Sequence, residues 1–541
     1  MKPVAQLLRH NICIIAVFTL LFVHISPTRA QLNDSRMALQ KFTSAYQLIN
    51  MAYVDTLNQQ KLIETAIVEM LKELDPHSVY LSKADVDKAN EPLVGNFEGI
   101  GVQFQIFKDT IVVTAAIADG PSEKVGIMAG DKIVKIDGED SFGNKITNDY
   151  VLGKLRGKKD TKVNVSIFRQ GEAGLLDFTI TRDKIPLNSI DATFIISPGL
   201  GYIRLNRFSR TTMQEFRQSI NQLQAEGMQK LILDLRNNSG GYLDVAVDLS
   251  DEFLDHDRMI VYTAGLRSPR MDFKATPRGS LHSGRLIVMI NEGSASASEI
   301  VAGAVQDWDR GLVMGRRSFG KGLVQRPFNL PDSSVIRLTT AKYFTPSGRS
   351  IQKPYNEGVK EYHMDLRKRL EHGEMVYADS IRFPDSLRFY TNNKRVVYGG
   401  GGIMPDIFLP IDTTSNSAYY TSLFRKGVFN SFTMEYLNTN RRRLEKLFPT
   451  TDKFFSEFDV DGAFLQQFIE YAAKQGVEKD DKGLEVSEKN ISHLLKANIA
   501  RNLFDLNAYY RISLAIDNEL QQAIITMSND KAFANLLNGK R

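Results

Sequence analysis

The chain has 541 residues, 43% apolar and 24% charged, an ordinary globular composition long enough for roughly two to four domains. Its formal net charge is +5; residues 1–30 carry three of the positive charges and no acid, so the remainder stands at +2, with no basic excess to suit nucleic acid. The single cysteine, Cys13, lies in that first stretch, which excludes a disulfide, a cysteine nucleophile and a zinc–thiolate site from the rest.

Residues 1–30 read as a secretory signal. Lys2 and Arg9 precede an apolar run from Ile12 to Ile25, and Ala30 before Gln31 offers a cleavage point. About 14 apolar residues are too few to span a bilayer, which takes roughly 20. The expectation is export, to a periplasm, with the signal cleaved; a membrane anchor formed by an uncleaved signal is the alternative.

Residues 31–96 follow as an N-terminal helical region. Leu62, Ile63, Ile67, Met70, Leu71 and Leu74 recur at helical spacing, and Pro76 in "LDPHSVYL" ends the pattern. Residues 97–185 hold short β-rich runs, "GVQFQIF", "TIVVTAAI", "DKIVKIDG" and "TKVNVSIFR", separated by glycine turns, with one helical piece, "TNDYVLGKLRG". Over 186–411 strands and helices alternate, "LGYIRL", "TTMQEFRQSINQLQAEG", "KLILDLR", "GYLDVAVDLSDEFL", "RLIVMI", "SASEIVAGAVQDW" and "GLVMG", which predicts βαβ-like units. Residues 412–541 are helical again, with Ile491, Leu494, Leu495, Ile499 and Leu503 on one apolar face. The fold class is therefore multidomain α/β.

In "RLIVMINEGSASASEIVAGAVQDW" a strand passes through a turn of small residues into a helix. This lifts a side chain at the helix N-terminus out of the sheet edge, where free N–H groups and the helix dipole suit an oxyanion. Three serines stand there, Ser294, Ser296 and Ser298, and Ser296-x-x-Glu299 is also a capping box, which any helix can carry. None of the six histidines after the signal sits in a triad motif. A neutral lysine can replace histidine as the base, provided burial or nearby positive charge lowers its pKa. Lys321, between Gly320 and Gly322 in "SFGKGLVQ", is a candidate presented on a tight turn. "DVDG" at Asp459, the arginine run 441–443, "GGGG" at 399–402, His363 and His372 lack the context of a metal, phosphate or nucleic-acid site.

"GSASASEIVAGAVQDW" followed by "SFGKGLVQ" resembles the C-terminal processing peptidases, or tail-specific proteases, serine peptidases with a Ser–Lys dyad. "LDPHSVYL", "FEGIGVQF", "LILDLRNNSGGYLDVAVDL", "YFTPSGRSIQ" and "GGIMPDI" match in the same order, covering roughly Leu74 to Ile407. The resemblance implies a ClpP/crotonase-like α/β protease core with an inserted PDZ-like β domain and helical N- and C-terminal regions. It implies Ser296 as nucleophile, Lys321 as general base and Gln325 as the residue orienting that lysine. It implies an oxyanion hole from the N–H groups of Gly241 and Ala297, with Glu299, Ser318 and Asp307 in support. Residues 97–185 resemble a PDZ domain, in which Gly99, Ile100, Gly101 and Val102 would hold a peptide's terminal carboxylate while "VQFQIF" pairs with the peptide as an added strand. Leu152 and Leu155 of the following helix would line its pocket or belong to its core. The expected partners are protein or peptide substrates with apolar C-termini, an adaptor or activator protein, and a second copy of the chain; no cofactor, metal or nucleic acid is implied. The competing readings are a non-catalytic PDZ scaffold on a protease-like fold and a hydrolase of non-peptide acyl substrates.

Overall fold

The computed structural model describes residues 29–117, 119–143 and 146–540, so Cys13 and almost all of the predicted signal lie outside the described residues. The chain divides into two compact units, Met1–Glu73 and Leu74–Arg541. In the first, helices Arg29–Ala52 and Gln59–Lys72 are joined by a short loop, and Asn58 caps the second by accepting from Lys61 N–H at 2.9 Å. Among the described residues no helix is long and apolar enough to cross a membrane.

The second unit is built on a six-stranded sheet in the order Ile190–Ser197, Leu200–Leu205, Lys230–Asp234, Leu286–Ile290, Leu312–Gly315, Ile407–Phe408. The first pair is antiparallel and the others parallel. The period-2 alternation of strands sorts its side chains between two cores. Ile203, Leu233, Val288 and Val313 pack against helices Thr212–Ala225, Leu243–Asp251 and Ala297–Asp307. Tyr202, Ile232, Ile287 and Met314 meet Leu520, Ala523, Met527 and Phe533 of the last two helices, Asn518–Ser528 and Asp530–Leu537. The C-terminal region, to which the sequence reading assigns no role, thus supplies the third layer of an α/β/α sandwich. Before it reaches the sheet it forms its own aromatic core, in which Phe432 meets Phe464 and Phe468 edge to face, Phe429 stacks on Phe468, and Phe454 stacks on Phe458.

A second, antiparallel sheet lies behind the first. Its axis is the ten-residue strand Val335–Phe344, which pairs with Leu323–Asn329, with Met259–Gly265 and with Val79–Leu81. These strands are not among those expected from the sequence, and the helical expectation for residues 31–96 fails at Val79–Leu81, which joins this sheet. Residues 102–181 form a separate β domain, five strands in series plus a short side strand, around Ile111, Val113, Ile133, Val165 and Ile167. Strand Val102–Phe107 is its edge. The chain enters and leaves this domain through the paired strands Asn96–Gly99 and Asp183–Pro186.

Leu520 is fully buried under the sheet, while Ile525 on the same helix is 59% exposed. Leu520→Ala is expected to destabilise the second unit by about 2–5 kcal/mol and Ile525→Ala by less than about 0.5 kcal/mol. Equal shifts of the two denaturation midpoints would contradict the layer assignment.

Candidate active site

All five residues of strand Leu286–Ile290 and all eleven of helix Ala297–Asp307 are buried, so the turn between them is held from both sides. Within it the three serines separate by environment. Ser294 Oγ donates to Leu235 O at 2.8 Å and accepts from Asn291 N–H at 2.9 Å; Ser298 Oγ donates to Asn238 O at 2.8 Å. Both side chains are fully buried and serve the backbone. Ser296 instead lines a cavity of about 590 Å³ that it shares with Gly240, Gly241, Lys321 and Gln325. Its backbone is at φ 53°, ψ −110°, a region that a residue with a Cβ enters at a cost of about 1–3 kcal/mol and that clusters at functional sites.

The turn after strand Lys230–Asp234 comes up against this serine. A Cβ on Gly240 would stand 2.9 Å from Ser296 Cβ, and one on Gly241 2.0 Å from Phe208 O, so glycine is required at both positions for the approach. Asn238 organises the turn: its Oδ1 accepts from Gly240 N–H at 2.9 Å and its Nδ2 donates to Leu205 O at 2.9 Å. Gly240 N–H is therefore occupied. Gly241 N–H and Ala297 N–H have no acceptor among the described residues. Two free donors beside a serine hydroxyl can receive an oxyanion.

Lys321 arrives from the hairpin that follows strand Leu312–Gly315. Its Nζ donates to Gln325 Oε1 at 3.1 Å, and Gln325 Nε2 donates in turn to His77 O. Burial, and secondarily the Arg337 guanidinium, push the Lys321 ammonium below the ordinary lysine value, against Glu299 and Asp75. The His77 ring, 2.7 Å from Tyr362 Oη, is pushed down to about 4 by burial and by Lys321, so it is neutral at working pH and already engaged.

Two side chains fix Ser296 and Lys321 relative to each other. Glu299 is fully buried; Oε2 accepts from Ser296 N–H at 2.8 Å and Lys321 N–H at 2.9 Å, while Oε1 accepts from Gly320 N–H at 2.7 Å and Ser318 Oγ at 2.5 Å. Burial pushes its carboxyl up to about 7, and the four donors pull the other way. Tyr343, also buried, places its hydroxyl 3.1 Å from Ser296 O and 2.5 Å from Lys321 O. Ser318 Oγ additionally accepts from Ile403 N–H at 2.6 Å, tying the "GGIMPDI" loop to the same carboxylate. Asp307 lies at the far end of the helix, 2.7 Å from the fully buried Arg349, away from the reacting groups.

The sequence reading passes over Tyr343, Asn238 and Arg337. Alternation along Val335–Phe344 could have marked the inward face of that strand, although nothing local ties it to Ser296. In the β domain, Ile100 O accepts from Ser122 N–H and Oγ, and Gly101 O accepts from Ile117 N–H, whereas the N–H groups of Ile100 and Gly101 have no acceptor among the described residues. Gly99 pairs with Asp183, and Val102 opens the edge strand. Leu155 is part of the domain core; Leu152 is half-buried. The Gly99–Val102 loop does not line the Ser296 cavity.

A "Carboxy-terminal-processing protease" of Bartonella bacilliformis is 37% identical over 318 residues, 58% of this chain and 72% of that protein. The chain belongs to the carboxy-terminal-processing peptidases. A "Probable CtpA-like serine protease" of Staphylococcus aureus is 34% identical over 356 residues, 65% of this chain and 70% of that protein. The solved photosystem II D1 C-terminal processing protease is 31% identical, covers 57% of this chain and 89% of its own, and superposes with a TM-score of 0.33. Family models match as Peptidase family S41 over residues 199–361, PDZ domain over 99–180 and activating protease CtpB N-terminal domain over 23–85; a family of unknown function matches 419–505. The peptidase is thus serine-type, with a protease core and an inserted PDZ domain between helical regions, as the sequence led us to expect.

Removing the Tyr343 hydroxyl leaves the two carbonyl groups without their bridge. Tyr343→Phe is expected to lower kcat of the peptidase roughly tenfold, equivalent to about 1.4 kcal/mol, with little change in KM. The checks are steady-state cleavage of an unstructured protein and a melting curve; a loss of activity fully matched by a loss of folded protein would count against a positioning role.

Proposed function

We propose that this peptidase is an exported endopeptidase that acts through a Ser296–Lys321 dyad and selects substrates by their C-terminal tails. The observation that carries the dyad is the Glu299 carboxylate, which accepts the N–H groups of both residues, with both side chains lining one cavity. Neutral Lys321 takes the Ser296 hydroxyl proton as oxygen attacks the scissile carbonyl. The N–H groups of Gly241 and Ala297 receive the oxyanion, Lys321 returns the proton to the departing amine, and an acyl-enzyme remains. Lys321 then takes a proton from water as its oxygen attacks the acyl carbonyl, the ester bond to Ser296 Oγ breaks, and the lysine returns that proton to the serine oxygen. Gln325 holds the lysine through the proton transfers.

Tail selection is supported by the PDZ match and by the N–H groups of Ile100 and Gly101 at the head of the edge strand, which have no acceptor among the described residues. A terminal carboxylate there would let the tail pair with Val102–Phe107 as an added strand. Export to a periplasm rests on the signal-like residues 1–30 alone. An adaptor or activator protein and self-association belong to the same proposal. A catalytically dead scaffold is the less economical reading, because serine, lysine, glutamine and two free N–H donors occur together.

Ser296→Ala and Lys321→Ala are each expected to lower kcat by roughly 10⁴-fold, with the double variant scarcely worse, because the two act as a unit. Ser294→Ala and Ser298→Ala should keep much of the activity; full activity in Ser296→Ala would sink the assignment. Since the base must be neutral, kcat/KM should rise with pH through the lowered lysine pKa and flatten below the ordinary value of 10.5. Lys321→Arg, charged at every working pH, should be inactive. Amidating the C-terminus of an unfolded substrate that ends in apolar residues, or replacing those residues by Asp or Lys, should slow its cleavage. Equal rates for all termini would refute tail selection and leave the dyad standing.

A further inference from the structure

The candidate catalytic cavity contains a charge that helps to lower the Lys321 pKa but has no partner of its own in the chemistry above. On strand Val335–Phe344 alternate residues face the same way. Tyr343 points to Ser296 and Lys321, Thr339 donates to Asp75 Oδ1 at 3.1 Å, and Arg337, in the same alternation, lines the cavity. Arg337 is half-buried and its backbone pairs with Val79 and Pro327, but its side chain has neither an ion pair nor a hydrogen bond among the described residues. Other arginines packed into this unit have partners: Arg204 has Asp234 at 2.8 Å, Arg316 has Glu292 at 2.8 Å, Arg349 has Asp307 at 2.7 Å and Arg395 has Asp309 at 2.7 Å, while Arg182 and Arg310 donate to backbone carbonyl groups. Asp75 is not free to serve Arg337. Its carboxylate already accepts from His77 N–H, Ser78 N–H, Ser78 Oγ and Thr339 Oγ1.

The cavity walls are largely aliphatic, with Leu81, Val86, Leu93, Leu243, Ile300 and Val335 among them, and no Asp or Glu lines them. Two cationic side chains do, Lys321 and Arg337. Lys321 must be neutral to act as a base, which leaves Arg337 as the permanent charge. A guanidinium with five unengaged donors in a mostly apolar cleft is matched by a carboxylate, which it binds in a bidentate, charge-assisted pair. Position sets the distance. Arg337 stands six residues along the strand from Tyr343, ~20 Å at the usual rise, yet it lines the same cavity and its charge is close enough to act on Lys321. The matching carboxylate therefore lies a few residues of extended chain away from the bond at Ser296.

We propose that Arg337 is a specificity-determining residue, whose guanidinium receives a carboxylate of the bound polypeptide two to four residues from the scissile bond. This rests on the reading of Ser296 as nucleophile. The carboxylate has two sources, an Asp or Glu side chain or the chain's own terminus, and the experiment separates them.

One series of internally quenched peptides, capped at both ends, carries Asp or Asn at each of the second to fourth positions on either side of the cut. A second series has neutral side chains and ends in a free acid or an amide two to four residues beyond the cut. Both are run with wild type, Arg337→Met, Arg337→Gln and Ser296→Ala. In wild type the carboxylate form should be favoured over its neutral counterpart by roughly tenfold or more in kcat/KM at one or two positions, the size of a charge-assisted hydrogen bond. In both Arg337 variants that ratio should fall to about two or less, whatever happens to the absolute rates. A preference in the first series identifies a side chain, and one in the second identifies the terminus. Equal rates for all pairs in wild type, or a preference that survives in the Arg337 variants, overturns the proposal while the Ser296 chemistry stands. Cleavage that persists in Ser296→Ala overturns the reading beneath it. Equal wild-type rates overturn the proposal even where a variant fails to fold, and the use of two Arg337 variants lets a wild-type preference be traced to the guanidinium in whichever of them folds.

Discussion

Glu299 makes the position of Ser296 and the position of Lys321 a single variable. A carboxylate sealed from water must find its hydrogen bonds in the protein, and this one finds four, from the serine's turn and from the lysine's hairpin. Neither loop can shift by a fraction of an ångström without leaving a buried acceptor or donor unmatched. Tyr343 repeats the constraint on the other side of the backbone, where one hydroxyl faces the carbonyl groups of the same two residues. The capping box at the start of the helix is thus also the joint of the site. The competition posed at the sequence level, between a cap and a functional glutamate, dissolves because one carboxylate does both.

The two sheets divide the labour. The parallel sheet ends in the serine and, one strand over, in the glycine turn, so the proposed nucleophile and the two N–H groups without an acceptor among the described residues share one edge. The antiparallel sheet supplies Gln325 and Tyr343, and through its edge strand brings in the segment containing Asp75 and His77. Lysine sits where the two meet, deep enough for burial to destabilise its charge. A base of the kind proposed would need no histidine, and His77 is held neutral while its carbonyl anchors Gln325.

Much of this was legible in the residues themselves. Small side chains around Ser296, glycines flanking Lys321 and the double glycine at 240–241 are local signals, and each corresponds to a close approach that the structure shows. The α/β alternation announced the parallel sheet for the same reason: helical and strand periods differ within a single window of sequence. What escaped is set by long-range pairing. Strand Val335–Phe344 is recognisable as a strand, but its partners include Val79–Leu81, more than 250 residues earlier, and no spacing encodes that. Arg337 is a sharper case. Its interest lies in lacking an acid, and the absence of a neighbour is written nowhere in the chain. The second face of the parallel sheet was hidden likewise, because the helices that cover it follow the sheet by a hundred residues.

That late cover also carries charge. Arg236, in the strand-to-turn segment that leads to the free glycine N–H, pairs with Asp517 at 2.8 Å and Glu519 at 3.1 Å; Arg316, just ahead of the lysine hairpin, pairs with the same Glu519. The two loops that make the reaction centre are therefore braced from below by acids translated some two hundred residues after them. During synthesis the nascent chain holds serine and lysine long before it holds these braces or the apolar layer around them. Order of translation therefore sets a condition on this part of the fold: the ion pairs of Arg236 and Arg316 can close only after Asp517 and Glu519 have been made.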